Sequence, residues 1–250
     1  MANRSINEME ANAAAEARKE LAEPLNAAVA VLNLATKLQA NDVPEERLPK
    51  TRVVRLLLLQ RVQNDLRCCV ILVERGYPLQ AAALAAGIFE AWVTLANIRT
   101  DDDAVKWLSH TQENEGFGRI RDLTRQALKS IAGDAKDADK WYWQYQQLCM
   151  PKHLNPMVER ARGYVLDGKS IEFKPGPDTS KLAIAQGWFA LERACQFAHF
   201  ALLTMAHSQE IPSELHQALA AQQGALHSLQ EESAKRWPNH YSEDVQRLRA

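Results

Sequence analysis

The sequence predicts an all-α helical bundle built on an αα-hairpin, and three observations predict it. Apolar residues recur at helical spacing over most of the chain. The string Arg75-Gly76-Tyr77-Pro78 stops one long apolar helix and starts another within three residues. Glycine suits the position just past a helix end, and proline suits the first helical turn. Finally, Ile184, Trp188, Leu191, Cys195, Ala198, Leu202 and Met205 step alternately by four and three, the spacing of a bundle contact line. With 250 residues and 46% hydrophobic content, the chain can bury a sizeable core. It is read as one domain over 1–250 with its core at about 50–209.

The elements follow in order. A first helix is expected over Ile6–Gln39, bent near Pro24, and then a connector with breakers Asp42, Pro44 and Pro49. The second helix, Lys50–Arg75, carries Leu56 to Leu59, Val62, Leu66, Val70 and Val73. The third, Leu79–Ile98, follows so closely that the two must be antiparallel neighbours. Its alanines at 81, 82, 83, 85 and 86, with Gly87, let the backbones approach. Thr100-Asp101-Asp102-Asp103 is an acidic cap opening a fourth helix over Asp102–Ser130. Gly133–Asp139 breaks it, and Trp141–Leu148 forms a short helix. Met150–Pro156 reads as a loop with proline near both ends, from which Asn155-Pro156 starts a helix to about Arg162. Asp167-Gly168 between Val165-Leu166 and Ile171 suggests a small hairpin-like insertion near 164–177. Asp178 or Ser180 then caps a long helix, Leu182–Gln209, and the tail 212–250 packs on the core as one or two amphipathic helices.

The net charge of −1 gives no bulk pull toward nucleic acid or acidic lipid, so neither DNA nor a membrane is an expected partner. Between Gly76 and Ile98 the one charged residue is Glu90, and this stretch reads as a buried helix. Cys68, Cys69, Cys149 and Cys195 form no C-x-x-C pair, which fits free thiols in a reducing compartment and no metal site. The first twenty residues hold Glu8, Glu10, Glu16 and Glu20 and lack the apolar stretch of a signal peptide. A cytoplasmic location is therefore expected. Phosphate-loop, dinucleotide, zinc-protease and nucleophile-elbow motifs are absent, and no cofactor is expected. The run Arg47, Lys50, Arg52, Arg55, Arg61, Arg67 and Arg75 lacks interleaved aromatics and reads as a solvated face.

Three places carry candidate chemistry. Glu90, in Phe89-Glu90-Ala91-Trp92, is either a carboxylate with raised pKa that works as acid, base or ligand contact, or a structural partner of Arg55, Arg61 or Arg67. Lys152-His153-Leu154-Asn155-Pro156 places three different polar groups on one bracketed segment. There His153 is a candidate general base beside Glu90, and Lys152 and Asn155 are candidate ligand contacts; the same residues could equally cap two helices. Arg193 and His199 match R-x(4–6)-H, but about one such match arises by chance in a chain of this composition. Six residues turn a helix by about 600°, which leaves the two side chains about 120° apart, with Arg193 expected to point outward.

The strings "LVERGYPLQAAALAAGIFEAW" and "LCMPKHLNP", in this order over roughly Arg52–Met205, resemble a family of uncharacterised bacterial all-helical domains distantly related to HEPN proteins. Gly76, Glu90 and His153 match that pattern, whereas Ala86 stands where the family has arginine. The resemblance implies a helical, intracellular protein of a bacterial defence or toxin–antitoxin setting. Two functions fit: a ligand-sensing or protein-interaction module, or a metal-independent HEPN-type ribonuclease with His153 or His199 as base and Arg193 or Lys152 on the phosphate. A third, a small-molecule enzyme, would use Glu90 and His153. The surplus of apolar stripes predicts a homodimer, joined along Leu182–Met205 or along the first helix, and the ligand is either a small molecule or RNA.

Overall fold

Glycine sets the first corner of the fold. In the computed structural model, which describes residues 5–40, 48–109, 118–152, 164–166, 171–173 and 176–237, Gly76 has φ +84°. It follows the helix Lys50–Glu74, here α3, and precedes Pro78–Asn97, here α4. The Tyr77 amide donates to the Leu72 carbonyl at 2.8 Å and the Gly76 amide to Val73 at 3.1 Å. This pair of bonds closes a Schellman turn, which needs a residue at positive φ. The αα-hairpin is thus as expected, and its two helices pack along their length.

Nine helices are found among the described residues. Before the hairpin come α1 (Ile6–Glu20) and α2 (Ala22–Ala40); after it come α5 (Asp101–Leu108), α6 (Ile120–Ala132), α7 (Ala138–Lys152), α8 (Lys181–Ala206) and α9 (Ser213–Arg236). Between α7 and α8, strands β1 (Tyr164–Leu166) and β2 (Ile171–Phe173) pair antiparallel, with Leu166 opposite Ile171. This is the small hairpin expected there. The fold class is all-α, as the periodicity predicts.

At the centre α8 packs on α4, with α2, α3 and α9 on its other sides. Its N-cap is Ser180, whose side chain accepts from the Ala183 amide. The seam from Ile184 to Met205 is buried, and so is most of the rest of the helix, including Trp188, Phe197 and Ala201. Gly187 lets α8 close on the end of α3: a β-carbon there would stand 3.1 Å from Val73 Cγ1 and 3.2 Å from Leu21 Cδ1. α9 runs antiparallel to α8 and is tied at its far end, where Arg236 lies over the Trp188 ring at 5.0 Å and pairs with Glu20 at 2.6 Å. Among the described residues α4 alone is long and apolar enough to cross a membrane, and 67% of its most apolar window is buried inside the fold.

Four expectations need correction. The first helix is two: Leu21 leaves the helix at φ −119° and α2 starts at Ala22, so that Pro24 sits in a first turn, where its missing N–H costs nothing. The fourth helix is also two: α5 ends at Leu108 and α6 begins at Ile120, after Gly118 at φ +151°, which no helical residue adopts. The segment from Met150 is not a loop at its start, because α7 runs through Pro151 to Lys152. Finally, the Leu182–Met205 seam is consumed inside the chain by α2, α3 and α4, so it is not open to a second copy.

Candidate functional site

The site grows out of α7. This helix carries Trp141, Tyr142 and Tyr145, and it packs on α4 and α6. An acidic cap positions the approach: Thr100 and Asp103 form a capping box for α5, and Asp101 accepts from Thr51 at 2.9 and 2.6 Å, fastening α5 to the start of α3. These hydrogen bonds hold the Asp101 carboxyl below its ordinary range. Asn97 then ties the end of α4 to α6 by donating to the carbonyls of Val93 and Leu123.

On one side of α7, Tyr145 reaches Glu90. The phenol donates to Glu90 Oε1 at 2.8 Å, and the ring stacks on Phe89 with centroids 4.9 Å apart. Glu90 is half-buried and is the single charged residue of α4. Burial, then hydrogen bonds to Cys149 and Glu90, push the Tyr145 hydroxyl far above its ordinary value, so it stays protonated and serves as a donor. Position 152 follows Tyr145 by seven residues, two turns along the same helix. His153 and Asn155 lie outside the described residues.

On the other side of α7, Trp141 packs edge-on against Phe197 and Phe200. The Arg193 guanidinium stands over Trp141 at 5.8 Å and over Phe189 at 5.6 Å, and it pairs with Glu192 at 2.9 Å. Both charged residues are 2% exposed. The expectation that Arg193 points outward is thus corrected: α8 is enclosed on every face, so no position in its middle reaches water. Residues 189 to 200 therefore hold a buried polar file that the seam did not reveal. The sequence does hold a signal for it. Past Lys181, the adjacent pair Glu192-Arg193 supplies the only charges of α8, the same isolation that singles out Glu90.

Gln196 and His199 continue that file. Gln196 Nε2 and both His199 ring nitrogens find no hydrogen-bond partner among the described residues. Burial lowers the His199 pKa from 6.5 to about 4. The neutral ring is therefore what the fold accepts, and the unfolded chain binds a proton at a higher pH. Stability from this group is complete above pH 6.5 and falls as the pH drops toward 4. Urea unfolding is expected to show about 2–3 kcal/mol less stability at pH 4.5 than at pH 7 from His199 alone. His199→Leu should remove that share of the slope, and an unchanged slope in the variant would show that His199 is not its source.

Two other thiols are inert for the same reason. Burial pushes Cys69 and Cys195 well above the ordinary thiol value; Cys69 Sγ also donates to the Ala81 carbonyl at 3.3 Å. Among the described residues, no group of three or more His, Cys, Asp or Glu side chains could hold a metal. Val31, Leu59, Val62, Gln63 and Leu202 line a shallow apolar dent between α2, α3 and α8 that has no room for a water molecule.

Comparison with protein-family models, curated proteins and solved structures gave no match. The structure brings Glu90 together with Tyr145, which the sequence did not select. It leaves Arg193 and His199 enclosed.

Proposed function

We propose that the chain is a non-catalytic helical module of an intracellular bacterial system that senses a ligand or binds a protein partner through the Glu90–Tyr145 surface of α4 and α7. One observation carries this reading. A carboxylate stands half-buried in a helix that is otherwise uncharged, and a phenol locked in its protonated state holds it. Such a pair is a preset hydrogen-bonding unit on an apolar wall, the composition of a recognition site. It suits a group that is cationic or donates hydrogen bonds, such as an amine or guanidinium.

The ribonuclease reading lacks a comparable support. It needs an arginine that meets a phosphate and a histidine that meets a ribose hydroxyl. Here Arg193 is engaged by Glu192 under two aromatic rings, and His199 is fully enclosed.

The test uses calorimetric titration of the full chain with spermidine and with argininamide. Binding of either probe is expected, weakened about tenfold by Glu90→Gln, with far-UV CD unchanged. Equal affinity in wild type and variant, or no binding of either probe at millimolar concentration, would remove Glu90 from the site.

A further inference from the structure

Three arginines of α3 were possible partners of Glu90, and the structure separates them. Arg55 donates from Nε to the Ile98 carbonyl at 2.7 Å, and Arg67 is exposed. Arg61 lies beside the Glu90 surface but pairs elsewhere. Gly87 stands three residues before Glu90 on α4, and a β-carbon there would be 3.8 Å from Arg61 Nη2 and 3.6 Å from Asp65 Oδ2. On a helix, β-carbons three residues apart are roughly 5–6 Å from each other, so the Arg61 guanidinium lies within about 10 Å of the Glu90 β-carbon.

Arg61 is held where it is by Asp65. Its Nε meets Asp65 Oδ2 at 3.4 Å, one turn along α3, and the two side chains are 62% and 20% exposed. An ion pair this open to water binds weakly. Burial also raises the Asp65 carboxyl above its ordinary range in spite of the Arg61 charge, a further sign that the attraction is modest. A guanidinium is the kind of group that the Glu90–Tyr145 surface suits. The Tyr145 phenol takes only one of the roughly four acceptor positions of the Glu90 carboxylate. A long, exposed and lightly held arginine can turn toward that carboxylate by changes of rotamer alone.

We propose that Arg61 is a built-in competitor for the cation place at Glu90, and that Asp65 keeps the place open by holding Arg61 aside. The proposal rests on the reading of Glu90 and Tyr145 as a cation-binding surface, and it makes the α3 pair the regulator of that surface. Whatever neutralises or engages Asp65 frees Arg61, and the freed guanidinium then closes the place to an outside cation. The affinity for that cation falls by the fraction of time that Arg61 occupies the place.

The experiment is calorimetric titration of the full chain with argininamide, as a double-mutant cycle at positions 61 and 65, with far-UV CD on each variant. Asp65→Asn should bind about fivefold more weakly than wild type, because Arg61 now spends most of its time at Glu90. Arg61→Gln should bind at least as tightly as wild type. The double variant should match Arg61→Gln, since Asp65 has nothing left to hold aside. A simple field effect of the Asp65 charge gives the same loss in both backgrounds, and that result overturns the proposal. So does an Asp65→Asn variant that binds like wild type. If Asp65→Asn loses helicity, Asp65→Ser takes its place in both backgrounds and the same comparison decides. Glu90→Gln separates this inference from the reading beneath it. Wild-type binding that Glu90→Gln weakens, with the Asp65 effect equal in both backgrounds, leaves the surface standing and removes the competitor. No binding by either wild type or Arg61→Gln at millimolar argininamide removes both.

Discussion

Arg193→Met is expected to reduce stability by about 3–5 kcal/mol in urea unfolding at pH 7. The cost does not come from lost volume, since methionine fills much of the same space. It comes from what stays behind: the Glu192 carboxylate, 2% exposed, loses the cation at 2.9 Å that shares its enclosure. The rings of Trp141 and Phe189 lose a cation at the same time. Arg193→Lys keeps the charge but not the flat guanidinium that fits between the rings, so it should lose about 1–2 kcal/mol. A loss below about 1 kcal/mol for Arg193→Met would mean that Arg193 does not offset the burial of Glu192, and the account of a buried ion pair would fail.

Gly76→Val is expected to cost about 2–5 kcal/mol, and the sum has two parts. A β-branched residue at φ +84° carries conformational strain of about 1–2 kcal/mol. Its β-carbon would also stand 2.7 Å from Pro177 Cβ and 3.1 Å from Ala13 Cβ, which forces the neighbours apart at about 1–3 kcal/mol. The second part reaches beyond the turn, because the Gly76 carbonyl accepts from the Asp178 amide at 2.9 Å. That bond fixes the chain just before α8. Gly133→Ala is the control: Gly133 also has positive φ, but no atom lies within 4 Å of its would-be β-carbon. It should show the strain without the clash. If the two substitutions cost the same, the packing against Pro177 contributes nothing.

The hairpin and the central helix were legible because both rest on short-range signals. A Gly-Tyr-Pro stop and a four-three seam are set by backbone sterics and by one contact line. The break at Leu21 was half legible: Pro24 announced a disturbance, but only the rule that proline belongs in a first turn places the break three residues earlier. Arg193 was misread because a seam identifies one buried face and is silent on the others. How many neighbours surround a helix depends on where distant segments fold, and α8 receives them from both halves of the chain. Tyr145 was missed for a related reason. It lies 55 residues from Glu90, and nothing in an aromatic helix says which of its rings will meet a carboxylate.

The enclosure of α8 also orders events during synthesis. α4 is complete at Asn97, but the helix that covers its aromatic face, through Phe89 and Trp92, ends only at Ala206. About 110 residues must be added in between, which takes roughly 5–20 s at the usual rates of translation. For that interval the nascent chain displays the most apolar helix of the protein without its cover. The α3–α4 hairpin can form early, since its contacts are local, yet it cannot become dry until the ribosome has delivered α8. A ribosome stalled before residue 181 should therefore hold a hairpin that chaperones recognise, and one stalled far enough past residue 206 for α8 to have left the exit tunnel should not.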